Sequence, residues 1–218
     1  TGLGAVDKYG LNHFNHSGLV SKVIGGNFGL QIPFMKNLIV GNKIEAYNFP
    51  QGILSQMCRT MAAKQPGIIT KVGLNTYMDP RIEGGKMNKK TTKNLVELIK
   101  IKGQEYLFYL APKPDFAIIR GTSVDKDGYV YMEDEATTRE DLSIAQAVHN
   151  NGGIVVCQFK KKIKINKMNP QLAKIPAFLI DYYVHDPLQK QTYVTLNDKF
   201  RSGQKILKKP KLDIIPLN

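Results

Sequence analysis

FAIIRGT at residues 116–122 and IVVCQF at residues 154–159 are two short apolar runs on either side of a helical pattern. Their β-branched residues predict two strands. Between them, Thr138 and Asp141 resemble a capping box, so we expect a helix that runs to His149 and ends at the glycine pair that follows. A strand, a helix and a second strand in this order form a βαβ-like unit, which indicates a parallel sheet.

The Pro50-Gln51-Gly52 turn lies between two further elements. Residues 44–49 alternate like a strand, whereas residues 53–63 have apolar side chains at helical spacing. Gln51 therefore lies where the carboxyl end of a strand meets the N-terminus of a helix. Ligands bind at such positions in open α/β sheets, and the exposed N–H groups of a helix start attract anions.

We predict an α/β fold with a mostly parallel sheet flanked by helices and with a hairpin-containing insertion. The hairpin strands are residues 95–99 and 105–109, joined at Lys102-Gly103. Residues 65–93 are rich in glycine and lysine and predict a long functional loop. A last strand is expected at residues 178–184.

The predicted organisation is one α/β domain at residues 1–196 and a polar, proline-punctuated linker or tail at residues 197–218. With 218 residues, 42% hydrophobic and 22% charged, the composition excludes disordered, collagenous and disulfide-stapled classes. No run of 18 apolar residues is present, so the sequence predicts no transmembrane helix. The two cysteines favour a reducing compartment, and we expect a cytoplasmic protein.

The net charge of +13 is concentrated towards the C-terminus. Residues 158–218 carry 13 of the 31 lysines and arginines but only 4 of the 18 acidic residues. A basic surface favours anionic partners, although a solvated lysine-rich face is the simpler interpretation. Few aromatic residues lie among these lysines, and no zinc-finger or RNP pattern occurs, so we expect neither a nucleic-acid nor a membrane partner.

Several reactive side chains have simpler structural explanations. His13 and His16 have the spacing of metal ligands, but no third ligand follows nearby, and we expect no metal. Cys58 lies on an apolar helix face, which favours an inert buried thiol. Glu83 precedes two glycines that would let a substrate approach its carboxylate, yet an ordinary loop glutamate is the simpler interpretation. No dinucleotide fingerprint, GxSxG or Walker A motif is present.

Eight motifs follow one another between residues 10 and 156. They are GLNHFxHxGLV (10–20), IEAYNxPQG (44–52), PGxxTKVGL (66–74), DPRxxGGKxN (79–88), GQEYLFY (103–109), AxIRGT (117–122), SIAQA (143–147) and NxGGIVV (150–156). In this order they resemble family I CoA-transferases, and most of all the acetate/propionate and acetyl-CoA:acetoacetate branch. The resemblance covers residues 10–186 without large gaps.

The resemblance implies a reaction that moves CoA from an acyl-CoA to a second carboxylate. In that family a glutamate attacks the thioester carbonyl to form an acyl-glutamyl anhydride, and the CoA thiolate converts the anhydride into a glutamyl-CoA thioester. The family chemistry implies no metal and no cofactor apart from coenzyme A as a substrate. It requires an oxyanion hole for each tetrahedral intermediate.

The resemblance assigns roles to four residues. Gln51 matches the oxyanion-hole glutamine, and Gly52, Gly84 and Gly85 match positions where the backbone approaches the acyl group. The nucleophilic glutamate of the family lies in a Glu-x-Gly setting in the second, β-type half, so the resemblance places no nucleophile in this chain. It places Glu83 near the acyl pocket and not at the attacking position.

The resemblance thus extends over most of a first, α-type half, without its opening βα segment. It implies an acyl-CoA and a short-chain carboxylate as substrates, a β-type half or subunit as partner, and a homo- or hetero-oligomer. One alternative is a non-catalytic truncated fragment, or a domain that binds acyl-CoA or another protein. A further alternative is a nucleic-acid binder that uses the C-terminal lysines and loses affinity with salt.

Overall fold

The computed structural model describes residues 13–14, 16, 18–28, 33–164, 169–191 and 198–206. The strands and α-helices within these residues are, in chain order, β1 (Lys22–Gly25), α1 (Pro33–Val40), β2 (Glu45–Asn48), α2 (Gln51–Ala62), β3 (Gly67–Thr70), β4 (Val96–Ile101), β5 (Gln104–Leu110), β6 (Phe116–Asp125), β7 (Val130–Tyr131), α3 (Asp141–Asn150), β8 (Ile154–Ile163), β9 (Ala173–Ile175) and β10 (Tyr182–His185). The chain divides into two compact units, which are Thr1–Ala117 with Leu142–Val155 and Ile118–Asp141 with Val156–Asn218.

The first unit contains a two-stranded parallel sheet of β1 and β2, whose register pairs Val23 with Ala46 and Ile24 with Tyr47. Successive side chains of a strand point to opposite faces. Val23 and Ala46 therefore pack with Ile39 of α1. Ile24 and Tyr47 pack on the other face, in the cluster that contains Ile53 and Met57 of α2. The sheet lies between the two helices.

A three-stranded antiparallel sheet in the order β3-β5-β4 packs into the same cluster as α2. The β4–β5 turn is formed by Lys102 and Gly103, with φ angles of 49° and 78°. Two positive φ angles match the twist of a two-residue hairpin turn, and the predicted hairpin is confirmed. The prediction of a loop throughout residues 65–93 is wrong at Gly67–Thr70, because this four-residue strand is recognisable only from its pairing with β5.

The second unit contains most of a five-stranded sheet in the order β10-β8-β6-β7-β9. β10 is parallel to β8, whereas β7 is antiparallel to both β6 and β9. β6 ends in a turn, where the Asp125 carboxylate accepts hydrogen bonds from the N–H groups of Asp127 (3.0 Å) and Tyr129 (2.9 Å). The hydroxyl of Tyr131 donates to the same carboxylate at 3.1 Å.

The predicted α/β class is confirmed, and both parallel and antiparallel pairs are present. The single strand predicted at residues 178–184 is wrong in its first half. Ala177–Leu179 is a 3-10 turn that begins after Pro176 and buries Leu179, so that only Tyr182–His185 pairs with β8.

Two further expectations from the sequence concern the ends of the predicted domain and the membrane. Among the described residues, no helix is both long and apolar enough to cross a membrane. Residues 192–197 and 207–218 lie outside the described residues. The predicted boundary between a domain at 1–196 and a tail at 197–218 therefore stays a prediction.

Candidate functional site

The start of α2 presents uncapped N–H groups next to the carboxyl end of β2. Pro50 precedes the helix with φ −55° and ψ 135°, and it has no side chain that can cap the helix. The first helical hydrogen bond runs from the N–H of Leu54 to the carbonyl of Pro50, at 3.1 Å. The N–H groups before Leu54 have no intrahelical acceptor, and the helix dipole makes this end partly positive. The first turn contains no acidic residue.

Gln51 is the first residue of α2, and it is exposed. Its Oε1 lies against the backbone of Gly26, where any Cβ would overlap the amide. The glycine therefore lets the Gln51 side chain lie across the turn that follows β1. In the orientation that satisfies its own donors and acceptors, the Asn48 amide donates to the carbonyls of Gly25 (3.2 Å) and Gly26 (3.3 Å). The β1 turn and the Gln51 turn are thus held together.

The glycine-rich loop is hydrogen-bonded to the edge of β2 that faces away from β1. The N–H of Asn48 donates to the carbonyl of Gly85 at 2.9 Å, and the N–H of Met87 donates to Ala46 at 3.0 Å. Gly84 and Gly85 are buried and have φ angles of 64° and 73°, a region that L side chains rarely adopt. Gly85 is thus hydrogen-bonded to Asn48, which lies three residues before Gln51 in the chain.

The predicted binding glycines have different surroundings. A Cβ at Gly85 would lie 2.8 Å from the Met78 side chain, so this position in the core has no room for a side chain. Gly52, in contrast, is exposed, and a Cβ there would meet open space. Glu83 is exposed, and its N–H donates to the carbonyl of Asp79 at 3.1 Å. The roles given to Gly52, Gly84, Gly85 and Glu83 stay predictions.

Two polar side chains fix β2 from the loop side. Thr91 Oγ1 is buried and accepts a hydrogen bond from the N–H of Ala46 at 2.8 Å, and its hydroxyl donates to Asn88 Oδ1 at 2.6 Å. The Asn88 amide donates in turn to the carbonyls of Ile39 (2.7 Å) and Ile44 (3.0 Å). These bonds join the loop to β2 and to the end of α1.

Two buried tyrosines donate hydrogen bonds to the two ends of the long loop. The hydroxyl of Tyr109 donates to the carbonyl of Val72 at 2.8 Å, and that of Tyr47 donates to the carbonyl of Lys93 at 2.7 Å. Burial raises the pKa of Tyr109 to about 12, so this hydroxyl keeps its proton and remains a donor at neutral pH.

Asp79 organises the centre of the loop. Its side chain is buried, and its carboxylate accepts the Arg81 guanidinium at 2.7 and 2.9 Å and the N–H groups of Asn75 (3.1 Å) and Arg81 (3.0 Å). Arg81 also donates to Glu105 of β5 at 3.0 Å. The Arg81 guanidinium, helped by these N–H groups, holds the pKa of the Asp79 carboxyl well below its usual range.

The remaining candidates do not join this group. His13 and His16 are both exposed, and the described residues contain no group of three or more His, Cys, Asp and Glu side chains that could hold a metal. Cys58 is buried on α2, and its Sγ lies 3.3 Å from the carbonyl of Leu54. Gly26, Asn48 and Thr91 were not predicted as site residues, since their partners are distant in sequence.

A helix start without a side-chain cap, at the carboxyl ends of parallel strands, is typical of the class of α/β proteins that bind ligands at this position. The match to the Coenzyme A transferase family model extends over residues 3–186. The chain belongs to this family.

Its relatives include larger enzymes. The chain is 46% identical over 193 residues to acetate CoA-transferase YdiF of Escherichia coli O157:H7, a match that covers 88% of this chain and 36% of YdiF. It is 45% identical over 175 residues to caffeate CoA-transferase of Acetobacterium woodii, covering 80% of this chain and 33% of that enzyme. The chain thus spans about a third of the length of these curated relatives.

A shorter relative and a solved structure agree with this family. The chain is 30% identical over 170 residues to the alpha subunit of acetoacetyl-CoA:acetate/butyrate CoA transferase of Clostridium acetobutylicum, covering 78% of this chain and 66% of that subunit. The crystal structure of the E. coli O157:H7 YdiF thioester complex with CoA superposes with a TM-score of 0.90 at 44% identity, covering 96% of this chain and 43% of YdiF.

Proposed function

We propose that this chain is the α-type part of a CoA-transferase that moves CoA between a short-chain acyl-CoA and a carboxylate acceptor. The observation that carries the proposal is the position of Gln51, at an uncapped helix start beside two glycine turns, in a chain of this family. The C. acetobutylicum alpha subunit, which matches over most of this chain, supports the α-type assignment.

The proposed reaction uses a glutamate outside these 218 residues. Its carboxylate attacks the thioester carbonyl carbon and the C–S bond breaks. CoA departs as the thiolate, and an acyl-glutamyl anhydride remains. The thiolate then attacks the glutamyl carbonyl and releases the original acid as a carboxylate, which leaves a glutamyl-CoA thioester. The acceptor acid repeats the same steps in reverse. No metal takes part, and CoA is a substrate.

The contribution of this chain is to stabilise negative charge. When the carbonyl becomes tetrahedral, its oxygen carries a full negative charge, and the Gln51 amide N–H donates to it. The exposed N–H groups of the α2 start add a partial positive charge in the same place. Removing one such donor costs about 2.7–4 kcal/mol of barrier, which is roughly a 100–1,000-fold loss in rate.

The substrates and partners follow from the relatives and remain part of this proposal. The names of two relatives place acetate and caffeate among acids handled by similar enzymes, so we propose a short-chain or small aromatic monocarboxylate. We propose a β-type half as the partner and the cytoplasm as the compartment. An oligomer of such halves completes the enzyme.

The experiment is a chimera in which this chain replaces the matching 193-residue segment of E. coli YdiF. CoA transfer from propionyl-CoA to acetate is measured for the chimera, for Gln51→Ala and for Gln56→Ala. Gln56 is a second exposed glutamine on the same helix, so it controls for the loss of an amide from α2. We expect Gln51→Ala to lower kcat about 100–1,000-fold and Gln56→Ala to leave it unchanged.

Equal activity of the two variants would contradict the proposed role of Gln51. A loss confined to KM would also contradict it, because an oxyanion donor acts in the transition state and not in the ground state.

A further inference from the structure

Gly26 and Gly67 are both closely approached by other atoms, but the kind of neighbour differs. A Cβ at Gly67 would overlap the carbonyl oxygen of Tyr109 and would lie 2.5 Å from the ring of Phe108, so the obstacles belong to the paired strand β5. At Gly26, the three heavy atoms nearest to such a Cβ all belong to Gln51, whose side chain is exposed.

The backbone conformation of Gly26 does not require a glycine. Its φ angle lies outside the left-handed region, whereas Gly84 and Gly85 have φ angles of 64° and 73°. The backbone at position 26 is therefore compatible with an alanine. What a side chain there would meet first is the amide of Gln51.

The turn that contains Gly26 is held in place by β2 and the residue after it. The N–H of Phe49 donates to the carbonyl of Gly25 at 2.9 Å, and the Asn48 amide donates to the carbonyls of Gly25 and Gly26. The Gln51 amide, in contrast, lies at the end of a flexible, exposed side chain. A methyl group added at Gly26 would therefore displace the amide and leave the turn in place.

The contact with Gly26 also orients the Gln51 amide. Oε1 is the atom nearest to the Cβ position, followed by Cδ at 3.3 Å and Cα at 3.4 Å. Nε2 is farther away than these three atoms, so the donor end of the amide is turned away from Gly26. A glycine C–H group favours an oxygen as its neighbour, which agrees with this orientation.

We propose that Gly26 is a positioning residue for CoA transfer, because the Gln51 amide rests on it with its N–H groups turned outwards. This inference rests on the role proposed for Gln51 as an oxyanion donor. Misplacing a catalytic group by about 1 Å can cost about 100-fold in rate. Because the oxyanion exists only after attack on the carbonyl, the loss belongs to kcat and not to KM.

The test is a double-mutant cycle in the YdiF chimera, with propionyl-CoA and acetate as substrates. We expect Gly26→Ala to lower kcat about 10–100-fold and to leave KM within about threefold. When Gln51 is already replaced by alanine, adding Gly26→Ala should change kcat by less than about twofold. A similar loss from Gly26→Ala in both backgrounds would show that Gly26 acts independently of Gln51, and would overturn the proposal.

The same cycle separates this inference from the proposed function. An unchanged kcat in Gln51→Ala would contradict the role of Gln51, and the role of Gly26 would fall with it. A loss in Gln51→Ala together with an unchanged kcat in Gly26→Ala would overturn the positioning role alone.

Thermal unfolding of the 218-residue chain distinguishes a positioning glycine from a structural one without any assay of activity. Alanine at a compatible glycine position restricts the unfolded chain, so Gly26→Ala should leave Tm unchanged or raise it by about 2–4 °C. Gly67→Ala, the control with obstacles in β5, should lower Tm by roughly 4–8 °C. An equal fall in Tm for both variants would overturn the proposal.

Nuclear Overhauser contacts in the same chain measure the position of the amide directly. We expect cross-peaks between the side-chain NH₂ protons of Gln51 and the Hα protons of Gly26, and none between those of Gln56 and Gly26. Absence of the Gln51 cross-peaks in the folded chain would show that the amide does not rest on Gly26, and would overturn the proposal whatever the chimera does.

Discussion

At the scale of single residues, the site depends on pairs that fit only because one member is small. Gln51 lies over Gly26, and Gly85 lies against Met78. The Pro50-Gln51-Gly52 turn was predicted from the local change from strand to helix. The role of Gly26 was not predicted, because its contact with Gln51 joins residues 25 positions apart in the sequence.

Asp79 gives a pH-dependent prediction. Its folded pKa lies below the unfolded value of about 3.9, so the stabilisation is complete above that value and is lost as pH falls through the folded pKa. We expect Asp79→Asn to lower the free energy of unfolding by about 2 kcal/mol at pH 7. Chemical denaturation between pH 7 and pH 3 should show this difference shrinking below about pH 4.

The control for Asp79 is Glu83→Gln in the same loop. Because Glu83 is exposed, its substitution should leave the free energy of unfolding within about 0.5 kcal/mol of the value for the unsubstituted chain. A constant difference between Asp79→Asn and the original chain down to pH 3 would show that the carboxylate charge is not what stabilises the loop.

At the scale of elements, β2 is the strand that carries Gln51, and Thr91 holds its outer edge. We expect Thr91→Val to lower the free energy of unfolding by about 2 kcal/mol, because the buried N–H of Ala46 loses its acceptor. For a chain of this size the loss corresponds to a fall in Tm of roughly 4–8 °C. Thermal unfolding followed by circular dichroism measures it.

Thr92→Val is the matched control for this element. Thr92 is the next residue and is exposed, so the same change of side chain should leave Tm nearly unaltered. Equal effects of the two substitutions would mean that the Thr91 bond to Ala46 does not stabilise β2.

The elements that were predicted are those with local signals. The Lys102-Gly103 turn and the helix at Asp141–Asn150 are confirmed, because turn residues and helical spacing lie within a few positions of each other. Gly67–Thr70 and the 3-10 turn at Ala177–Leu179 were missed. The first is defined by a partner some 40 residues later, and the second by the burial of Leu179.

At the scale of the whole molecule, the order of motifs indicated the family, and the family model confirms it over residues 3–186. The α/β class followed from the strand-helix-strand pattern. The pairing of β1 with β2 and that of β8 with β10 did not, because parallel pairing joins strands that are far apart in sequence and depends on the complete set of strands. The roles given to Gly52, Gly84 and Gly85 stay predictions, because the structure shows the space around these glycines and no bound ligand group.

The measurement that tests the half-enzyme assignment most directly is the location of covalently bound CoA. The YdiF chimera is incubated with propionyl-CoA without an acceptor, digested, and analysed by mass spectrometry for a glutamyl-CoA thioester. We predict CoA on a glutamate from the YdiF part and none on any glutamate of this chain, Glu83 included. CoA attached to a glutamate within these 218 residues would contradict the assignment.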